Sequence, residues 1–300
     1  MAGGAFLNEA ESPMLLHRGS VNGVFLRHSL ECGSLCMSIS VVVVGANGRM
    51  GRTICDVAQN SSEYVLVGGV DSPAHVAELS LRMVGKCPVS DNLPDLLTRV
   101  PEKSVIIDFT APEVSLASAR IAVERGMALV IGTTGLSSQQ LEILQNLATK
   151  TPILWSSNMS IGINVMRKVL PELVKALGPD YDMEIMEIHH KHKKDSPSGT
   201  ALTLAESLAK AKNWDLQNVR CSSRDGLIGE RPQQQIGVQA LRGGDVVGVH
   251  TVYFMGPGER IEVTHHAHSR ENFARGALRA AAWLVDQKPG KLYGVQDMLG

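Results

Sequence analysis

The sequence predicts an α/β protein, with a doubly wound parallel sheet followed by a smaller α+β domain that contains a mixed sheet. Three observations support this prediction. Short β-branched runs alternate with helical stretches up to about residue 160, the pattern of parallel strands joined by crossover helices. Beyond that point, glycine turns typical of hairpins separate longer strands. The length of 300 residues suits two domains, because a domain commonly holds roughly 100–200 residues.

The composition argues against several classes of protein. Apolar residues make up 44% and charged residues 20%, which is enough to bury a substantial core. The formal net charge of −1 and an aromatic content of 4% give no indication of nucleic acid as a partner. No apolar run approaches the roughly 20 residues of a membrane span. The five cysteines are odd in number and widely spaced, which favours a reducing compartment such as the cytoplasm over a disulfide framework.

Residues 1–36 differ from the rest of the chain because they show no sustained period of 2.0 or 3.6. Acidic residues within them argue against a transit peptide. Met37 opens a Met-Ser-Ile-Ser segment directly before the first apolar run. Two interpretations remain open: a disordered extension, or a start assigned too far upstream with Met37 as the natural first residue. In either case, we exclude residues 1–36 from the predicted fold.

The first predicted domain, residues 37–160, alternates strands with helices. Its strands are short apolar runs, typical of parallel strands that are buried on both faces. Its helices carry apolar residues at helical spacing, such as Val114, Ala117 and Ile121. The predicted elements are strand 41–44, helix 49–59, strand 64–70, short helix 94–97, strand 104–109, helix 113–125, strand 128–131, helix 137–149 and strand 152–155.

The second predicted domain, residues 161–269, has longer strands. Gly-Gly-Asp and Gly-Pro-Gly turns separate its last three strands and predict antiparallel hairpins at both places. A final helix, 270–285, follows this domain. The predicted elements are helix 161–177, strand 181–190, helix 197–211, and strands 235–242, 246–255 and 259–266.

A glycine loop follows the first strand and opens the first helix, with the pattern G-x-x-G-x-x-G from Gly45 to Gly51. Such glycines let the backbone approach a pyrophosphate, whose charge is stabilised by N–H groups at the helix start. Asp71 lies 20 residues after Gly51, where an acid would bind the adenosine ribose. An ordinary turn with a surface Asp is the alternative. We predict a Rossmann-like domain that binds a dinucleotide through Gly45, Ala46, Asn47, Gly48, Arg49, Met50 and Asp71.

Two further turns lie where strands end, at 132–135 and 156–159. Ligands of open α/β sheets bind outside the carboxyl ends of the strands, so small hydroxyl residues there can line a nicotinamide pocket. Simple helix capping by Ser and Thr is the alternative. The additional cofactor-binding residues predicted from these turns are Gly132, Thr133, Thr134, Ser156, Ser157, Asn158 and Met159.

A basic segment, residues 187–201, carries three histidines and three lysines just before a helix start. Ser196-Pro197 predicts an N-cap followed by proline at the first helical position, which places Ser198 and Gly199 in the first turn. Free N–H groups, hydroxyls and titratable cations together suit a small carboxylate that also receives protons. The alternatives are a solvated loop, a phosphodiester site and a metal site. We predict no metal, because neighbouring residues of a strand, here His189 and His190, face opposite sides.

The chain resembles the bacterial dihydrodipicolinate reductase family, also called 4-hydroxy-tetrahydrodipicolinate reductases, over about residues 37–300. The basic segment is the most specific part of this resemblance. The matching segments are Gly45 to Arg52, Ile107-Asp108-Phe109-Thr110, Ile131 to Gly135, Ser157 to Asn164, Glu187 to Ala201, Gly243 to Gly248 and Thr264-His265.

The resemblance implies an NAD(P)H-dependent reduction of a small cyclic dicarboxylic imine to tetrahydrodipicolinate, in the diaminopimelate–lysine pathway. It implies His189 as the acid/base residue and Lys193 as the proton donor. It also implies that residues 161–269 bind substrate and mediate a homotetramer, while the C-terminal part, 270–300, packs back on the first domain. The residues that would hold the substrate carboxylates are His190, Ser198, Gly199 and Thr200.

Two alternatives to this enzyme stay open on the sequence. A non-catalytic dinucleotide sensor would have no need of His189 together with Lys193. A related dehydrogenase of the aspartate or homoserine type would not require Ser-Pro-Ser-Gly-Thr after a run of histidines. The chain also departs from family members that use NADPH well, which often have Arg after the ribose acid. Here that position is Ser72, which predicts that NADH is preferred or that both cofactors are used about equally.

Overall fold

A seven-stranded parallel sheet forms the centre of the first part of the molecule. The structure, a computed structural model, describes residues 38–83 and 86–300. The strands are β1 (Ile39–Val44), β2 (Tyr64–Val70), β3 (Val89–Ser90), β4 (Val105–Asp108), β5 (Leu129–Ile131), β6 (Ile153–Trp155) and, from the end of the chain, β12 (Leu292–Tyr293). Their order is β12-β6-β5-β4-β1-β2-β3, and every pair is parallel.

Helices cover both faces of this sheet, as the sequence predicts. Alternate residues of β1 point to opposite faces and are buried on both: Val41 and Val43 pack in one core cluster, Val42 and Val44 in another. The C-terminal helix joins the first of these clusters through residues such as Ala277. The helices are α1 (Arg49–Gln59), α2 (Pro73–Arg82), α3 (Leu93–Leu96), α4 (Pro112–Arg125), α5 (Ser138–Ala148) and α9 (Glu271–Leu284).

The second sheet has five strands in the order β11-β10-β7-β9-β8 and is mixed, which confirms the predicted fold class. Met183 and Ile185 of β7 face a core cluster that α6 and α7 complete. The strands are β7 (Asp182–His189), β8 (Arg220–Cys221), β9 (Ile236–Arg242), β10 (Gly248–Gly256) and β11 (Glu259–Ala267). The remaining helices are α6 (Ile161–Leu177), α7 (Gly199–Ala211), α8 (Leu216–Val219) and, at the end of the chain, the short α10 (Val295–Met298).

One predicted hairpin is correct and the other is wrong. β10 and β11 form an antiparallel hairpin around the Gly-Pro-Gly turn. β9 and β10, in contrast, do not pair with each other. They lie on either side of β7, with β9 parallel to it and β10 antiparallel to it. The Gly-Gly-Asp loop therefore passes over the end of β7. Gly243 N–H donates to the His189 carbonyl (3.0 Å), and His190 N–H donates to the Val246 carbonyl (2.8 Å). Backbone bonds to the end of β7, rather than a tight turn, determine the shape of this loop.

The start of α7 also differs from the prediction. Ser198, not Ser196, is the N-cap, because its backbone is extended and its hydroxyl accepts the N–H of Ala201 (3.2 Å). The helix therefore begins at Gly199. The helix α2 and the short elements β3, α8, β8, β12 and α10 were not predicted, since they are brief or weakly periodic. The two interpretations of residues 1–36 lie outside the described residues.

Candidate active site

The candidate site lies at the switch point of the parallel sheet, where β1 and β4 are neighbours and the chain leaves them in opposite directions. This is where open α/β sheets bind their ligands. The end of β7 and the start of α7 close the other side of a cleft of about 570 Å³. The cleft is lined by Arg49, Met50, Phe109, Thr110, Gly132, Thr133, Thr134, Ser157, Asn158, Met159, His189, His190, Lys193, Thr200, Val247, Arg270 and Phe273.

The glycine loop has the geometry of a pyrophosphate cradle. Gly45 has φ +78°, and a Cβ there would lie 2.8 Å from Thr110 Cγ2, so the position requires glycine. A Cβ on Gly51 would lie 2.0 Å from the Gly45 carbonyl oxygen, so glycine lets α1 pack against the loop. Gly48 has no side chain with which to cap α1. The N–H groups of its first turn are therefore left for an anion, and the loop fits a dinucleotide.

Asp71 lies directly after β2, beside this loop. Its Oδ2 accepts the Asn47 N–H (2.7 Å), and its Oδ1 accepts the Ser72 N–H (2.8 Å). His75 Nδ1 lies 3.3 Å from Oδ1. These bonds fix the carboxylate at the place where a ribose would follow the pyrophosphate, although contact with a ribose stays a prediction.

A buried aspartate that we did not predict organises the neighbouring turns. Asp108, at the end of β4, is fully buried and accepts the hydroxyls of Thr110 (2.6 Å), Ser118 (2.7 Å) and Thr133 (3.2 Å). The hydroxyl of Thr133 is thus turned into this network, while its residue still lines the cleft. An acid at the end of a strand next to the switch point was the signal that could have identified this residue.

His189 is buried and held by the carboxylate of Glu187. The distance from His189 Nδ1 to Glu187 Oε2 is 2.5 Å. Burial lowers the pKa of His189 below its ordinary value, and the Glu187 carboxylate opposes this effect. Burial alone would raise the pKa of Glu187, but hydrogen bonds from Arg242, His189 and the Ser198 N–H bring it below its ordinary value. The result is a neutral imidazole beside an ionised carboxylate at neutral pH.

Two further cationic or titratable groups lie near His189. The Lys193 ammonium lines the cleft and pairs with Asp195 (2.9 Å). The ring of His250 lies 5.0 Å from that of His189, edge to face, and its Nε2 is 3.1 Å from the Ser198 hydroxyl. Burial lowers the pKa of His250 to about 3, so this ring is neutral over the physiological range.

Ser198 has a different set of contacts from the other residues predicted to bind substrate. Its N–H donates to Glu187 Oε1 (2.9 Å), and its hydroxyl caps α7 and contacts His250. Thr200, in contrast, faces the cleft, where Asn158 Nδ2 donates to its Oγ1 (2.9 Å). The geometry therefore favours Thr200 over Ser198 as a side chain that touches substrate.

Twelve of the twenty predicted site residues line the cleft together. Those that do not are Gly45, Ala46, Asn47, Gly48, Asp71, Ser156, Ser198 and Gly199. The first five of these form the glycine loop and its acid, which adjoin the cleft at Arg49. Sequence reasoning missed the cleft residues Phe109, Thr110, Val247, Arg270 and Phe273. Phe109 and Thr110 follow β4 at the switch point, the same signal as for Asp108, whereas Arg270 and Phe273 are brought in only by the packing of α9.

Two negative findings apply to residues 38–83 and 86–300. No group of three or more His, Cys, Asp or Glu side chains there could hold a metal ion. None of the helices described is long and apolar enough to cross a membrane.

The parallel sheet, the glycine loop at its switch point and the histidine–lysine cleft define a Rossmann-type oxidoreductase that uses NADH or NADPH. Family models then identify the family. The model described as "Dihydrodipicolinate reductase, N-terminus" matches residues 39–159, and "Dihydrodipicolinate reductase, C-terminus" matches residues 162–299. The chain belongs to the dihydrodipicolinate reductase family, which confirms the resemblance found in its motifs.

Individual relatives agree with this assignment. A 4-hydroxy-tetrahydrodipicolinate reductase of Desulfovibrio desulfuricans is 63% identical over 87% of this chain and 100% of its own length. One from Lawsonia intracellularis is 50% identical over 88% of this chain and 100% of its own length. The solved structure of dipicolinate-bound dihydrodipicolinate reductase from Paenisporosarcina sp. TG-14 has a TM-score of 0.70 and 26% identity. It matches 87% of this chain and 100% of its own.

Proposed function

We propose that this enzyme reduces 4-hydroxy-tetrahydrodipicolinate, or the dihydrodipicolinate formed from it by loss of water, to tetrahydrodipicolinate. NADH or NADPH is the reductant, and the reaction belongs to diaminopimelate and lysine biosynthesis. One observation carries the proposal: a single cleft brings His189 and Lys193 together with Thr200 on one side and the strand-end turns of a dinucleotide-binding sheet on the other. A dicarboxylic imine placed between them would touch both the cations and the cofactor.

The residues of the first sheet would hold the cofactor. The glycine loop and the start of α1 would bind the pyrophosphate, and Asp71 the adenosine ribose. The turns at Gly132 and Asn158 line the cleft where the nicotinamide would lie. When bound, the nicotinamide supplies the hydride that reduces the substrate.

The residues of the second part would hold the substrate through its two carboxylates. Lys193 and His190 line the cleft, and Gly199 begins α7, whose first-turn N–H groups attract an anion. The hydroxyl of Thr200 accepts its bond from Asn158, which leaves its own proton for a substrate oxygen.

Proton transfer would be shared between Lys193 and His189. Negative charge builds on the conjugated nitrogen system when a hydride adds to carbon, and the Lys193 ammonium can deliver a proton there. Because Nδ1 of His189 lies against Glu187, the other ring nitrogen, Nε2, is left for the cleft. The neutral ring can take up a proton from solvent at Nε2 and deliver it to the departing hydroxyl as water forms, or to the Lys193 amine after that group has given up its own proton.

The assay that tests this function follows NADH oxidation with the freshly made product of dihydrodipicolinate synthase. We expect turnover that depends on that product. A dinucleotide sensor would bind NADH without oxidising it, and a dehydrogenase of another substrate would be inactive with this product. Either result would contradict the proposal.

We further propose a cytoplasmic homotetramer assembled through the open face of the second sheet. The pairing of β7 with β9 and β10 puts three apolar residues side by side on the face opposite the core helices: Ile188, Leu241 and Val249. Leu241 is 46% exposed. Such an apolar patch on a sheet is typical of an interface. Light scattering after size exclusion should give the mass of four chains, and Leu241→Asp should lower it. A monomeric wild type would contradict the assembly but not the reaction.

A further inference from the structure

Glu187 is a fully buried carboxylate that is shared by three elements around the cleft. It lies two residues before His189 on β7, hence on the same face of the sheet. Its Oε2 contacts His189 Nδ1 (2.5 Å) and a guanidinium nitrogen of Arg242 (2.8 Å). Its Oε1 accepts the second guanidinium nitrogen (2.8 Å) and the Ser198 N–H (2.9 Å). Four donors therefore fix both oxygens of one side chain.

Arg242 extends this arrangement to the lysine. It ends β9 and lies opposite His189 in the register of the sheet. The same guanidinium donates to the backbone carbonyl of Asp195 (2.7 Å). The Asp195 carboxylate in turn pairs with the Lys193 ammonium (2.9 Å). The Glu187–Arg242 ion pair therefore contacts His189 and the start of α7 directly, and it reaches Lys193 through Asp195.

We propose that Glu187, held by Arg242, is a positioning residue of the reductase reaction, which fixes the orientation and tautomer of His189 and the place of the α7 start. The proposal rests on the proposed function, since it assigns a role within that reaction. A carboxylate on Nδ1 keeps the proton there and directs the lone pair of Nε2 to the other side of the ring. Its bond to the Ser198 N–H ties the carboxylate-binding helix start to the same anchor.

If Glu187 acts through His189, its replacement should change the pH dependence of kcat/KM. The charged and titratable groups that act on the His189 ring are Glu187 on β7, Arg242 on β9, Lys193 in the following loop and His250 on β10. Of these four, Glu187 is the anion. Replacing Glu187 by Gln leaves the cations in place, so the pKa of His189 should fall further. Any limb of the kcat/KM profile that reports His189 should therefore move to lower pH.

The experiment compares Glu187→Gln with wild type and with Glu206→Gln as a control. Glu206 is partly exposed on α7 and pairs with Lys210, so its loss removes a charge from the same part of the molecule. We expect Glu187→Gln to lower kcat by about 10–100-fold, by analogy with the loss of a carboxylate that orients a metal-bound histidine. Glu206→Gln should keep wild-type kcat. Imidazole ¹⁵N spectra, with His189 assigned from His189→Asn, should show the Nδ1–H tautomer in wild type and a mixture in Glu187→Gln.

A double-mutant cycle distinguishes a positioning role of Glu187 from a general structural role. On the His189→Asn background, Glu187→Gln should cause little further loss of kcat, because there is no imidazole left to orient. We also expect Glu187→Gln to raise KM, because a neutral amide holds the Ser198 N–H less strongly than a carboxylate does, and this rise should persist on the His189→Asn background. An equal loss of kcat on both backgrounds would contradict the proposal, as would wild-type kcat and tautomer in Glu187→Gln.

A second variant covers the case in which Glu187→Gln fails to fold. Arg242→Lys keeps the charge but loses the two-pronged contact, and we expect a smaller loss of kcat with a changed His189 tautomer. Wild-type behaviour of Arg242→Lys would also overturn the proposal. An inactive wild type would count against the proposed function instead, and the ¹⁵N spectra would still test the anchor.

Discussion

Asn158 Nδ2 donates a hydrogen bond of 2.9 Å to Thr200 Oγ1, and this bond joins the turn after β6 to the first turn of α7. The other amide atom, Asn158 Oδ1, accepts the Ser160 N–H (2.8 Å), so the Asn158 side chain is fixed from both ends. The two sides of the cleft, which we propose bind the cofactor and the substrate, are thereby held together at one point. The Thr200 hydroxyl proton is left to point at a bound anion.

Removing the hydroxyl should therefore weaken the binding of a planar dicarboxylate. We expect Thr200→Val to weaken the binding free energy of pyridine-2,6-dicarboxylate by roughly 1–3 kcal/mol, the cost of losing a hydrogen bond to a charged group. Calorimetric titration measures this change. Thr203→Val is the matched control, because the Thr203 hydroxyl is exposed and donates to the Gly199 carbonyl of its own helix. Equal affinity in wild type and Thr200→Val would remove this hydroxyl from the contacts.

The two side chains proposed to transfer protons, His189 and Lys193, should each be needed for turnover. His189→Ala and Lys193→Ala are expected to lower kcat by about 10²–10⁴-fold, the usual range for general acid–base catalysis. Circular dichroism should show that both variants keep the fold. Lys194→Ala, next to Lys193 but exposed, should keep wild-type kcat. Near-wild-type turnover in either cleft variant would remove the corresponding role.

Cofactor preference should follow the charge beside Asp71. A carboxylate at the end of β2 accepts ribose hydroxyls and repels a 2′-phosphate, and Ser72 supplies no compensating charge. We expect NADH to be preferred over NADPH, or the two to be used about equally, and Ser72→Arg to shift the kcat/KM ratio towards NADPH. A wild-type preference for NADPH above about tenfold, or 1.4 kcal/mol, would contradict this argument.

The buried His250 should make stability depend on pH. Burial lowers its pKa to about 3, from an unfolded value near 6.5. Between those values the unfolded chain binds a proton that the folded chain does not, so stability falls as the pH drops below about 6.5. One such proton changes the free energy of unfolding by at most about 1.4 kcal/mol per pH unit.

Urea unfolding at pH 7, 6 and 5 measures this slope. His250→Gln, which keeps a polar atom near the Ser198 hydroxyl, should flatten this slope by roughly 1 kcal/mol per pH unit, because the contributions of other groups are the same in both proteins. His266→Gln, which replaces an exposed histidine of β11, is the matched control for the substitution itself. An equal slope in wild type and His250→Gln would contradict the prediction, because it would show that folding does not lower the pKa of His250.

Local patterns in the sequence were enough to place most elements and the chemistry-bearing segments. The prediction of helix 49–59 and strand 64–70 agrees with α1 and β2 to the residue, because a helix face and a buried strand repeat at fixed periods. Gly45 and Gly51 were evident for a similar reason, since a sharp turn into a helix needs glycine whatever surrounds it. The basic segment carried His189 and Lys193 within five consecutive residues, so their proximity required no knowledge of the fold.

Tertiary structure alone decided how these parts meet. The Gly-Gly-Asp turn looked like a hairpin, yet β9 and β10 flank β7, because strand order depends on the pairing of the whole sheet rather than on one turn. Glu187 finds its partner Arg242 on another strand, 55 residues away. The donors of a buried charge are chosen by packing and not by sequence distance. The sequence therefore predicted the candidate side chains His189 and Lys193, while only the folded chain determined what holds them.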